Sequence, residues 1–571
     1  MSALSKYDFR LAIPAACAWL TCLIVLKFYE SADAHALSST WLVSVCVVLI
    51  AVATVMLVLM VLRVEAISQR VIASAHYVCV CFCAVLCCII SSVVYSVVDR
   101  MDIHHSVSRT GSQNIDTMVR ISSPVSTTRL RGYRCSVRAE SVSMTIAAVS
   151  QRSSLPLRVY FADHSACNRI PGERVQLHGR LSYSDFGQDK WVLKIEEGCA
   201  SCVISHGDVP AFQRVIHRIH QSFLQVTQKL DTQAVLLVPG ITMGVMGQDA
   251  YIAEDMLNAS QPLQTHDVAQ LQRSAEKIKN NFRTAGIMHT LAVSGGHFSL
   301  VMAAVIWCAK RRKASRYILA VALGVANILV FSVMFPSDSL LRAFIMVFFS
   351  IGYVLWGRRA DSGAMLCWTI ILSLIFRPAY ALSMGYALSC VSVLAILLFS
   401  DRIEKSLNLV LPRSLAQACA VTLSAQLMTL PLTVMLQPHI PMYSLLSNVL
   451  VSIPMDIATV LGLVGLAVAW ICEPVGLLIV RMAGWATGMM AFICEGIQSL
   501  PFANVSCTVE ELCVGYAAIA ALSYATFRFL RRKQKENGQK GAFEKTFTVP
   551  FKLTICTWWA EILQLLSRWQ K

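Results

Sequence analysis

Residues 287–300, IMHTLAVSGGHFSL, decide how this chain is read. His289 and His297, the hydroxyl of Ser294 and the pair Gly295 and Gly296 stand at the front of an apolar run long enough to cross a bilayer. In hydrocarbon every such polar group must find a partner, so the cluster faces a protein interior or a water-filled path and not lipid. By helix spacing, positions 290, 294 and 297 share a face, with 289, 293 and 296 beside it.

The surroundings are of the same kind. Hydrophobic residues make up 56% of the 571 positions and charged ones 14%, with a mean hydropathy of +0.59. That excludes a single soluble domain and predicts a polytopic α-helical membrane protein. Spanning-length runs fall near 11–29, 41–62, 72–97, 285–308, 316–335, 340–356, 362–376, 380–400, 415–436, 443–471, 475–498 and 512–530, about twelve in all. The net charge of +16 gathers in loops: Lys6 and Arg10, Arg63 and Arg70, Lys310 to Arg316, Arg358 and Arg359, Arg402 to Arg413, and Arg531 to Lys533. If every run crosses, these share one side, which is the cytoplasmic one. The expectation is a multi-pass protein of the cytoplasmic (inner) membrane, with its N-terminus inside, membrane lipid around it and the polar segment 100–284 outside.

Within that segment the period changes. Residues 117–121, 130–142, 155–161, 173–181 and 190–196 alternate polar with apolar between Gly, Pro, Ser and Asp, predicting five β-strands. PGERVQLHGRL, residues 171–181, gives a turn and then a strand with basic and polar residues on one face, as in small oligonucleotide-binding (OB) barrels. Arg129, Arg131, Arg134, Arg138 and Arg158 could follow a phosphate backbone while Tyr160 and Trp191 stack on bases. A solvated barrel surface over core aromatics is the plainer reading of the same composition. Cys135, Cys167, Cys199 and Cys202 are disulfide candidates in an oxidising compartment. The Cys199-x-x-Cys202 spacing lacks the second ligand pair that a zinc site needs, so no metal and no cofactor is expected.

The organisation expected is thus a three-helix membrane segment (1–99), an extracytoplasmic OB-like barrel (100–206), a linker (207–284), a transmembrane domain (285–530) and a basic cytoplasmic tail with an amphipathic, tryptophan-bearing helix (531–571). In the linker, residues 210–229 read as a basic amphipathic helix along the membrane surface. The short, Gly-broken run 235–246 reads as re-entrant or interfacial.

Four stretches add a resemblance. NFRTAGIMHTLAVSGGHFSLV (281–301) resembles the signature of the ComEC-type competence family of inner-membrane DNA-uptake channels. SDSLLRAFIM (337–346) is similar to that family's S-x-x-R-A-x-x-M segment, with Ser339 and Arg342 in place. SMGYALSCVSVLAILL (383–398), with Gly385 and Ser389, resembles its next segment. SAQLMTLPLTVML and SLLSNVLVSIP (424–454) resemble its last pair, through Gln426, Pro431, Asn448 and Pro454. Gly296 stands where the family usually has a bulky apolar residue, and Ala387 where glutamine is frequent.

The resemblance implies a channel that imports single-stranded DNA in natural transformation, not an enzyme. It implies a separate extracytoplasmic DNA receptor and an ATP-driven cytoplasmic motor, since no G-x-x-x-x-G-K-[ST] loop occurs. The chain reads as a short form without the C-terminal metallo-β-lactamase-like domain, having no H-x-H-x-D-H run, so a separate nuclease is a further expected partner. Self-association is compatible with all of this. Arg342 is a candidate for a phosphate contact or for an ion pair with Asp338 or Asp456. The alternatives are a small-molecule permease and an intramembrane serine hydrolase, because Ala292-Val293-Ser294-Gly295 resembles the serine loop of rhomboid-type proteases.

Overall fold

The computed structural model describes residues 8, 10–31, 69–102, 112–123, 125–128, 130, 132–146, 149–163, 167, 169–184, 190–196, 203–205, 209–247, 265–291, 293, 295–508 and 510–511. The expected spans at 41–62 and 512–530, the tail 531–571, and Arg129, Arg131, Cys199, Cys202 and Ser294 lie outside the described residues.

Two helices, α1 (Ala12–Ser31) and α2 (Gln69–Met101), pack on each other ahead of the polar segment. That segment folds as β1 (Ser112–Ile121), β2 (Ser126–Thr127), β3 (Cys135–Ile146), β4 (Val149–Arg152), β5 (Pro156–Phe161), β6 (Arg174–Tyr183), β7 (Trp191–Ile195) and β8 (Val203–Ser205). Five long strands run β1-β3-β5-β7-β6, and β6 returns to pair with β1, closing a barrel. All these pairings are antiparallel except β5 with β7. The period-2 pattern explains the closure. On β1, Ile115, Val119 and Ile121 are buried while Asn114, Asp116 and Arg120 face out, and β6 repeats the alternation. A disulfide joins Cys135 to Cys167 across the barrel core, with 6.1 Å between their Cα atoms.

After the barrel come α3 (Ala211–Gln228) and α4 (Thr232–Met243). The two form a hairpin that starts and ends beside the barrel: Gln213 near the start of α3 presses on the barrel turn at Gly172 (φ +92°), and Gly244 after α4 lines the same cavity as barrel residues. Its turn reaches the opposite end of the bundle, where Lys229 pairs with Glu473. Of the re-entrant or interfacial reading of residues 235–246, the interfacial half is corrected, because α4 is buried from Ala234 to Met243 among neighbouring helices. Gly462 carries no side chain where Thr242 crosses, which lets the two backbones approach.

The remaining described helices are α5 (Thr265–Thr284), α6 (Gly295–Arg311), α7 (Arg316–Val333), α8 (Asp338–Leu355), α9 (Ser362–Phe376), α10 (Met384–Leu407), α11 (Arg413–Leu436), α12 (Ser444–Val468) and α13 (Glu473–Gln498). Seven of the described helices are long and apolar enough to cross a membrane: α2, α7, α8, α10, α11, α12 and α13. α1, α4 and α9 are shorter apolar helices. Their starts are fixed locally: Ser315, Ser337, Asp361 and Ser383 each accept a hydrogen bond from the backbone three residues on. The run expected to span from 285 to 308 is instead a 3-10 turn, Met288–Leu291, followed by a helix that begins only at Gly295.

Candidate functional site

The break in that run resets the geometry of its polar residues. A continuous helix would have stacked 289, 293 and 296 together; the turn instead separates His289 from His297. His289 keeps an exposed imidazole on the 3-10 turn. His297 is 1% exposed, and its Nε2 lies 2.7 Å from the Ile241 carbonyl at the end of α4. It satisfies a carbonyl that the helix end leaves without an intrahelical partner, which is a packing role. The turn is set by Gly286 (φ +72°), where a Cβ would sit 2.6 Å from Ser444 Cβ and 2.8 Å from Pro441 Cγ.

Two polar knots hold the resembling segments together. In the first, Arg342 on α8 is 6% exposed; its Nε donates to Ser389 Oγ on α10 at 2.7 Å, and Ser389 donates onward to Ser339 at 3.2 Å. Ser383 donates to Asp338 beside it, and a Cβ on Gly385 would stand 2.9 Å from that carboxylate. Gly295 lies against the Arg342 guanidinium. No carboxylate among the described residues forms an ion pair with Arg342, so the expected pairing with Asp338 or Asp456 is corrected: Asp338 is turned to Ser383 and Asp456 is exposed. In the second knot, Gln426 on α11 donates to Ser444 Oγ, and Asn448 donates to the Ser444 carbonyl at 2.7 Å. Ser447 donates to the Ala285 carbonyl at 2.6 Å, tying α12 to the turn before the motif. Pro431 and Pro454 lie inside α11 and α12, where each removes a backbone donor.

The barrel meets this bundle across a cavity of about 420 Å³. Its barrel wall is Ser123, Ser126, Ser136, Arg138 and Arg158; the opposite wall is Gly244 to Met246, Lys279 of α5, Met288, Leu291, Val293 and Phe335 to Ser337. Arg138 and Arg158 stand directly opposite each other on β3 and β5. Three cations and the motif turn share one open cleft.

Of the other barrel candidates, Arg134 is exposed and Tyr160 is half-buried, its ring edge-on to Tyr133 at 6.0 Å. Burial, then the charge of Glu196, lifts the Tyr133 phenol above its ordinary range, keeping it neutral. Trp191 is 7% exposed and packs against Tyr183 in the barrel core, so base stacking on it is corrected: neither ring face is open. Sequence reasoning missed Lys279, whose signal was only a polar helix. It also missed Ser444 and Ser447, because serines in a span are ordinary.

A bundle with this many apolar spans, knotted internally by buried polar groups, is that of a multi-pass membrane protein. Residues 270–532 match the family model described as Competence protein, and the chain carries a domain of that family. No curated protein and no solved structure matches it.

Proposed function

We propose that the protein is a channel of the cytoplasmic membrane that imports single-stranded DNA during transformation, with the barrel outside and acting as an OB-type domain. The observation that carries this is the junction cavity. Arg138, Arg158 and Lys279 supply positive charge where the barrel opens onto the turn of the competence domain, as a phosphate backbone requires. The barrel order β1-β3-β5-β7-β6 supports the OB reading, and its β3 and β5 strands, the second and third of the five long ones, are those whose face binds oligonucleotides in that fold. The disulfide between Cys135 and Cys167 supports an oxidising, external location. Chemistry belongs to other proteins in this scheme: a receptor delivers DNA, a nuclease removes one strand and a cytoplasmic motor pulls.

The test uses the full-length protein in liposomes. Charge reversal at Arg138, Arg158 and Lys279 is expected to lower entry of a labelled single strand at least tenfold, with the protein still monodisperse. Undiminished entry through the reversed variant would remove the cavity from the path.

A further inference from the structure

Just past the junction cavity, inside the bundle, one buried cation has no counter-charge among the described residues. Ser337 and Val293 line the cavity. Ser337 caps α8, with Arg342 little more than a turn further in, and the residue two after Val293 is Gly295, the first of α6. Arg342 is 6% exposed. Its Nε bonds Ser389 Oγ at 2.7 Å and one Nη1 hydrogen reaches Met346 Sδ at 3.3 Å, so three of the five guanidinium N–H groups meet no acceptor among the described residues. A buried charge left so is strongly destabilising unless something else supplies the partner.

The open donors have a direction. Nη2 stands 3.4 Å from the place where a Cβ on Gly295 would sit. Cβ positions tilt toward a helix's N-terminus, so Nη2 lies at the opening end of α6. That end of a 17-residue helix carries roughly half a positive elementary charge. Asp338, one turn before Arg342 on α8, is turned to Ser383. Two positive features therefore meet with no protein anion between them among the described residues. A helix N-terminus beside a guanidinium suits phosphate: the dipole favours its charge, and the planar N–H fork matches two of its oxygens.

We propose that Arg342 and the N-terminus of α6 form a site for one phosphodiester of the passing single strand. The proposal rests on the DNA-import reading and adds a station to it, which a strand leaving the cavity of Arg138, Arg158 and Lys279 meets next. A serine hydroxyl and a thioether hold the cation in place without neutralising it, so its charge is left for the ligand. One cation, where the cavity has three, holds a phosphate weakly enough to let it go, as conduction requires.

The test uses the full-length protein in nanodiscs, with inorganic phosphate and a labelled oligothymidylate as probes. Phosphate should raise the melting temperature of the parent by a few degrees more than that of Arg342→Met, in which only the general salting effect remains. Gly295→Ala keeps the cation and sets a methyl group beside Nη2 at an ordinary contact distance, and it should lose most of the same rise. That variant decides the matter alone should Arg342→Met fail to fold. Arg342→Met should bind the oligothymidylate about tenfold more weakly at low salt and lose about 0.7 from the slope of log K against log salt, the share of one phosphate contact on a single strand. The same oligomer with uncharged methylphosphonate linkages should bind parent and variant alike. Equal phosphate shifts in parent and variants overturn the site. A phosphate shift lost in Arg342→Met with unchanged strand binding overturns the strand as its occupant, and so does a phospholipid that copurifies with the parent and not with the variant. The import reading fails separately, by absence of strand entry into liposomes through the parent, an outcome that leaves the phosphate shift standing.

Discussion

Arg342 is a buried cation held by a serine and a methionine sulfur, Met346 Sδ at 3.3 Å, with no carboxylate to balance it. Such a charge costs stability, and replacing it with an apolar side chain of like volume is often neutral or stabilising by about 1–4 kcal/mol. Arg342→Met should therefore keep or raise the melting temperature while lowering DNA entry at least tenfold, with Arg342→Lys between. A loss of folding together with activity would make the residue purely structural. Gly286 offers the opposite case. Any side chain there meets a positive φ, costing about 1–2 kcal/mol, and a collision with Ser444 and Pro441. Gly286→Ala should lower the unfolding temperature by several degrees, read by thermal melting in detergent.

The strands show where patterning is enough to read structure. All five predicted segments became strands with ends within five residues of those expected, because alternation of Ile115, Val119 and Ile121 with polar neighbours allows one buried face. The same logic misled for Trp191, since a core tryptophan and a stacking tryptophan have identical sequence signals. For residues 287–300 hydropathy saw one span, yet Gly286, at a positive φ, lets the chain turn before the helix begins. The knots formed by Ser383 with Asp338 and by Gln426 with Ser444 join residues from separate helices, so no local period could reveal them. Within the barrel, the Cys135–Cys167 bond closes a loop of 32 residues. By loop-closure entropy it is worth about 3–4 kcal/mol. Cys135→Ser should make barrel sites cleavable by protease at a concentration that leaves the parent intact.

At the scale of the molecule, charge is sorted by end. Lys310 to Arg316, Arg358 with Arg359, and Arg402 to Arg413 cluster between helices at one end of the bundle, while the barrel cavity and the start of α8 lie at the other. Lys277 pairs with Glu495 at 2.8 Å close to the barrel end, on the same helix that brings Lys279 to the cavity. The pair is exposed on both sides, so Lys277→Ala should change stability by less than about 1 kcal/mol. Lys279→Ala, two residues away, should reduce single-strand entry severalfold at low salt and less at high salt.

The hairpin of α3 and α4 bears on any experiment that maps topology by tagging. It runs down the bundle and comes back to the barrel, so it contributes one apolar stretch, α4, but no net crossing. A reporter fused near residue 250 should share its compartment with one fused before residue 112. Arithmetic that scores residues 232–243 as one more pass would invert the assigned sidedness of every loop from Lys310 onward. A matched pair of reporters flanking the hairpin measures that bookkeeping error directly.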